Sequence, residues 1–116
     1  MDIYHIWFNL KPGVRDVDFA RRLDAYLGRL AADGAMAGHR LTRCKLGFRP
    51  ASLREFHLMI EVRDLAQLEQ AFGTVASRSG PVEGLHAAVN QDVEDIFFAL
   101  YRDFPDSVRV EGEERF

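Results

Sequence analysis

Apolar residues recur along this chain in two rhythms, a period of two and a period near 3.6, and the switches between them predict six elements. Ile3 to Leu10 (IYHIWFNL) is dense in β-branched and aromatic residues and stops at Lys11-Pro12-Gly13, as a strand followed by a turn should. Alternation places Tyr4, Ile6, Phe8 and Leu10 on one face and Ile3, His5, Trp7 and Asn9 on the other. Bulky groups on both faces predict a central strand covered on two sides.

The rhythm then lengthens. Phe19, Ala20, Leu23, Tyr26, Leu27 and Leu30 are spaced by threes and fours, one apolar stripe of a helix. Asp16 is placed to cap it, Asp18 suits the positive end of its dipole, and Gly34 supplies a left-handed residue to end it. Met36 to Phe48 reads as a second strand with broken alternation. Because Leu41 and Leu46 fall on opposite faces, a bulge or twist near 42–44 is expected. Residues 47–53, with Pro50 inside, form a loop, and Arg54 to Arg63 (REFHLMIEVR) returns to clean alternation as a third strand. In it Phe56, Leu58, Ile60 and Val62 oppose His57, Met59, Glu61 and Arg63. Asp64 with Gln67 three residues on forms a capping-box variant ahead of a second helix striped by Leu65, Leu68, Phe72, Val75 and Ala76. A short helical turn over 83–89 and a last strand over 93–101 follow, with Ile96, Phe98 and Leu100 opposing Asp95, Phe97, Ala99 and Tyr101.

Strand, helix, strand, strand, helix, strand is the order of the split βαβ, or ferredoxin-like, α+β unit. Two right-handed crossovers give a four-stranded antiparallel sheet of order 4-1-3-2 with both helices on one face. The domain spans 1–105, and the charged, unpatterned stretch 106–116 is read as a tail. The other face of the sheet would leave Ile3, Trp7, Met59, Phe97 and Tyr101 wet. Burying ~400 Å² of such surface at ~25 cal/mol/Å² is worth on the order of 10 kcal/mol before the cost of association. A homodimer pairing sheet to sheet across a two-fold axis is therefore expected, with polar groups of that face lining an interior chamber.

Composition narrows the function classes without choosing one. At 116 residues, 47% hydrophobic and 28% charged, the chain fits one globular domain. A formal charge of −3 excludes the concentrated basic character of a nucleic-acid binder, and Arg40, Arg43, Lys45 and Arg49 read as a solvated strand face. The single cysteine, Cys44, has no partner for a disulfide and no metal-ligand spacing around it. The chain opens without a charged-then-apolar leader, and no apolar run nears the ~20 residues of a membrane span, so a cytoplasmic setting is expected.

The candidate chemistry sits on the uncovered face. His5 and His57 fall on neighbouring central strands, and with Glu61 nearby they supply an imidazole and a carboxylate for proton transfer at neutral pH. Tyr101 and Asn9 offer hydrogen bonds, while Trp7, Met59 and Phe97 offer an apolar wall for a flat small molecule. His86 would stand at the chamber mouth, and His39 is expected at the surface. The competing reading is an interface in which the histidines are simply hydrogen-bonded, Glu61 pairs with Arg63 across the dimer and Trp7 is packing. Histidines scattered this way carry no local spacing for a metal, and none is expected.

The opening YHIWFNLKPG, the stretch EFHLMIEVRDLAQLEQAF and the closing VEGLHAAV with IFFALYRDFPD resemble the dimeric α/β-barrel superfamily, in particular its stress-responsive barrel branch and an uncharacterised bacterial relative. The resemblance covers roughly residues 1–105 and implies a homodimer around a cavity. Members include cofactor-free monooxygenases, polyketide cyclases and haem-degrading enzymes, besides many without known activity. The cyclase type has histidines early in its first and third strands, matched by His5 and His57; it also has a His beside a Tyr after the second helix, where this chain offers His86 alone. The haem-degrading type would draw on Asn9, Phe72 and His86, although its aromatic is tryptophan and Asn9 aligns only with a two-residue shift. Three functions are thus in play: a cofactor-independent enzyme for an aromatic or polyketide-like ligand, a non-catalytic ligand-binding or stress-associated dimer, and a haem-cleaving enzyme. No cofactor is expected for the first two.

Overall fold

Each strand's neighbours follow from which of its faces carries apolar side chains, and the computed structural model, which describes residues 1–76, 89–106 and 110–112, shows the result. β1 (Asp2–Leu10), β2 (Gly38–Arg43), β3 (Phe56–Val62) and β4 (Val93–Arg102) form one antiparallel sheet in the order β2-β3-β1-β4. β1 is central, as its two bulky faces predict. Its register sets Trp7 opposite His57 and His5 opposite Met59 on β3, with Phe97 and Ala99 opposite the same two residues on β4.

α1 (Asp16–Ala32) and α2 (Leu65–Ala76) cover one side of the sheet. Phe19, Leu23, Leu27 and Leu30 of α1 are buried against Phe8, Phe56, Leu58 and Val62, the stripe and strand face foreseen from periodicity. Two details differ. The N-cap of α1 is Arg15, which makes no side-chain cap bond; Asp16 is the first helical residue, and its carboxylate instead accepts the Arg43 guanidinium and the Val17 N–H, both of which hold its pKa below the ordinary range. In α2 the buried residues are Gln67, Leu68 and Ala71, whereas Leu65 and Phe72 are half exposed, so the helix is rotated from the expected stripe. The reason is the cap. Gln67 Oε1 accepts the Arg63 N–H, its Nε2 donates to the Gly34 carbonyl, and Asp64 Oδ1 accepts the Gln67 N–H, which turns the polar Gln67 inward and fixes the helix about it. α1 ends as predicted: Gly34 is left-handed at φ +77°, with Gly34 N–H on Ala31 O and Ala35 N–H on Leu30 O, a Schellman pair.

β2 is shorter than the predicted 36–48. Met36 is drawn into the core, and beyond Arg43 the chain makes its own turn, with Leu46 and Gly47 both left-handed and Phe48 N–H bonded to Lys45 O. Leu46 therefore lies outside the strand, which removes the alternation conflict, and the β2–β3 register runs unbroken from Gly38 to Arg43. The sheet's bulge is elsewhere: between Trp7 and Asn9 the partner on β4 jumps from Phe97 to Glu94, and Asp95 takes φ +56°. The helical turn expected over 83–89 lies outside the described residues but for Val89, which is helical and buried. At the other end of β4, Arg102 holds Asp2, itself only 2% exposed, and reaches Asp106. Both carboxylates push the Arg102 pKa upward, Asp2 foremost.

Candidate functional site

Strand alternation puts the odd residues of β1 and β3 on the open face, and the register decides which of them meet. His57 of β3 lies beside Trp7, and its Nε2 is 2.8 Å from His5 Nδ1, one ring N–H donating to the other ring's lone pair. Four rings then stack across three strands. Trp7 lies between His57 (4.3 Å between ring centres, 8°) and Phe97 (5.1 Å, 11°), and His57 also faces His5 (5.0 Å, 22°). Tyr101 meets His5 edge-on at 5.2 Å, and the Arg54 guanidinium lies over Phe97 at 5.3 Å while its Nε donates to Asp95 O. Burial lowers the pKa of His5, and burial followed by the charge of His5 lowers that of His57, so both rings are neutral at pH 7.

Met59 is opposite His5 and half buried. Glu61 is one row further along, opposite Ile3, and exposed; the hydrogen-bond partner of each imidazole is the other imidazole rather than this carboxylate. Asn9 is engaged at both ends of its amide, Oδ1 accepting the Glu55 N–H and Nδ2 donating to Asp95 Oδ2. Phe72 packs edge-on against Tyr4 on the helix side, so Asn9 and Phe72 occupy opposite faces and do not converge on one haem-sized ligand. His86 lies outside the described residues. His39, at the surface, pairs with Asp24. Among the described residues no group of three or more His, Cys, Asp or Glu could hold a metal, and no helix is long and apolar enough to cross a membrane.

Periodicity did not reveal a cavity of about 240 Å³ on the helix side, between α1, α2 and the sheet. Aromatic rings of Tyr4, Phe8, Phe19, Tyr26, Phe72 and Phe98 contribute to its wall; of its described lining residues, only Tyr4, Tyr26 and Asn90 carry a polar side-chain group. On its wall Phe98 stacks on Tyr4 at 5.7 Å yet remains 57% exposed. Burial raises the Tyr4 pKa, keeping that hydroxyl protonated. The signal for this site was the run of aromatics on the helix-facing positions, which serves core packing equally well.

A four-stranded antiparallel sheet of this order with both helices on one side defines a ferredoxin-like fold. The chain belongs to a family described as a family of unknown function (DUF6614), whose model matches residues 1–116. Among solved structures it is similar to a mutant form of SnoaB, a cofactor-independent oxygenase from Streptomyces nogalater, at 9% identity and TM-score 0.68 over 93% of this chain and 97% of that one. It is also similar to a dabb family protein with a ferredoxin-like fold from Mesorhizobium loti (16% identity, TM-score 0.60, 88% and 95% covered). A third is a dimeric ferredoxin-like protein of unknown function from Thermobifida fusca (16%, TM-score 0.56, 87% and 90% covered). Among curated proteins none matches. At these identities the likeness is one of fold.

Proposed function

We propose that this protein is a homodimer, paired through its open sheet faces, that takes a small, flat, apolar molecule into the helix-side cavity of each protomer. The observation that carries the ligand reading is the cavity itself: about 240 Å³ of largely apolar-walled space between two helices and a sheet. An engineered apolar cavity of about 150 Å³ stays dry and binds benzene, so this one suits one or two fused rings with few polar substituents. The pairing is supported by the half-buried ladder of Trp7, His57, Phe97 and Met59, apolar surface that a second copy would cover, and by the dimeric description of a structural neighbour. A non-catalytic binding role fits the cavity best, because His5, His57 and Glu61 stand on the other side of the sheet.

Titration with 2-naphthol, followed by its own fluorescence and by the thermal midpoint, tests this. Wild type should bind and be stabilised, and Ala71→Trp, on the cavity wall, should bind at least tenfold more weakly, whereas His57→Gln should bind as wild type does. Equal binding by wild type and Ala71→Trp, or none by wild type, defeats the reading.

One observation favours a second reading, a cofactor-independent enzyme: both imidazoles are neutral near pH 7, the state a general base requires. In it His5 or His57 deprotonates an aromatic or polyketide-like substrate held between the two sheets, against Trp7, Asn9, Met59, Phe97 and Tyr101. Turnover of a 1,3-dicarbonyl aromatic, lost in His5→Gln and unaffected by Ala71→Trp, would select this reading over the first.

A further inference from the structure

On the reading that two protomers meet through their open faces, we propose that the His5–His57 pair is an acid-sensitive latch: neutral, it lets the dimer close, and doubly protonated, it opens it. The geometry carries this. His5 Nδ1 and His57 Nε2 are 2.8 Å apart, a contact that needs one N–H and one lone pair. One added proton can be shared between the rings as N–H···N. A second leaves two cations facing each other at hydrogen-bond distance, and they must separate.

The surroundings offer little to neutralise that charge. From β1, Trp7 stacks on His57 and lies parallel to His5, with Asn9 beyond it tied to Glu55 and Asp95. From β2, Arg40 stands beside Met59 and Thr42 beside His57, with Thr42 Oγ1 donating to His57 O. From β3, Met59 is opposite His5 and Glu61 is one row further out. From β4, Tyr101 meets His5 edge-on, Ala99 is opposite it, and Asp95 and Glu94 lie beyond Phe97, past the bulge. Arg54 caps the Phe97 end of the stack. Two fixed cations, Arg40 and Arg54, therefore flank the rows that hold the pair, and the carboxylates lie at their margins. In a lone protomer the half-exposed rings can turn to water and accept protons. Covered by a second sheet they cannot, so protons compete with association. Burial already disfavours the charged rings within the protomer, in the direction the latch requires.

The molecule contains its own reporter. Trp7 is the chain's one tryptophan, and its indole lies 4.3 Å from the His57 ring at 8°. Protonating His57 places a cation on the indole face, which should quench its emission.

The test is sedimentation velocity of the full chain at micromolar concentration from pH 7.5 to 5.0, with Trp7 emission read on the same samples. Wild type should be a dimer at pH 7.5 and mostly protomer at pH 5.0, its dimer dissociation constant rising about a hundredfold or more. Emission should fall along the same curve. His57→Gln and, separately, His5→Gln keep a hydrogen-bonding side chain but cannot place two cations together, and in either the dimer dissociation constant should rise at least tenfold less than in wild type between pH 7.5 and 5.0. Wild type that remains dimeric at pH 5.0 overturns the latch while leaving the pairing intact. So does dissociation of both glutamine variants in step with wild type. A protomer already at pH 7.5 overturns the pairing itself, and the latch with it.

Discussion

The two faces of this sheet are held by different forces. On the helix side, Phe8, Phe56, Leu58 and Val62 are at most 5% exposed, and close packing against α1 holds them. On the open side Ile3, His5, Trp7, His57, Met59 and Phe97 are only half-buried and Tyr101 is exposed, and the order comes from ring stacking across register-matched rows and one N–H···N contact. One face stabilises the protomer by removing apolar area from water; the other orients polar and aromatic groups while leaving area still to be removed. A strand such as β1, whose even residues serve the first and odd residues the second, couples the stability of the protomer to the shape of its outer surface.

The sharpest way to break this contrast is to delete volume on each side. Phe19→Ala, at a fully buried position under the sheet, should cost about 3–5 kcal/mol in urea unfolding whatever the protein concentration. If copies pair through the open face as proposed, Trp7→Ala should instead make the unfolding midpoint lose its dependence on concentration. Equal, concentration-independent losses would mean that the open face is a second core of the protomer. Gln67→Ala should come next, at about 2 kcal/mol, since it leaves the Arg63 N–H and the Gly34 carbonyl without their side-chain partner beneath α2. Urea midpoints with and without the substitution, with the m-value as a check on two-state behaviour, measure it.

The gentlest effect is that of pH on the dilute protomer. His5 and His57 titrate below their ordinary value of 6.5 when folded, so the unfolded chain binds more protons over that window. Stability is therefore full above pH 6.5 and declines as pH falls from there toward the folded values. The double variant His5→Gln/His57→Gln should flatten that slope in urea unfolding between pH 7 and 5. A wild-type slope of the opposite sign would show that the rings are charged in the fold.

Much of this was legible in the residues, and the gaps have physical causes. Element order, the central place of β1, the α1 stripe and the Gly34 stop follow from local chemistry, because period and backbone preference are properties of short windows. The extent of β2 was not, since consecutive left-handed residues at Leu46 and Gly47 end it, and leucine gives no warning of a positive φ. Alternation put His5 and His57 on one face, but only the inter-strand register decides that His57 lies beside Trp7 and within reach of His5, and that Glu61 stands a row away. Arg54 was read as a strand residue and turns out to cap the aromatic stack from the loop. The cavity was invisible for a different reason: it is missing volume between three elements, and a sequence records only the side chains that are present.

Asp95 is the surplus residue of β4. With it removed, Glu94 and Val93 would still stand opposite Asn9 and Leu10, and Ile96 alone would face Phe8, so the ladder would close without any side chain changing sides. Dropping a residue outside the Asp95–Ile96 bulge would rephase part of the strand. The chain thus carries one expendable link whose carbonyl seats Arg54 and whose carboxylate anchors Asn9. A length change there would loosen the end of the aromatic stack while sparing the sheet itself.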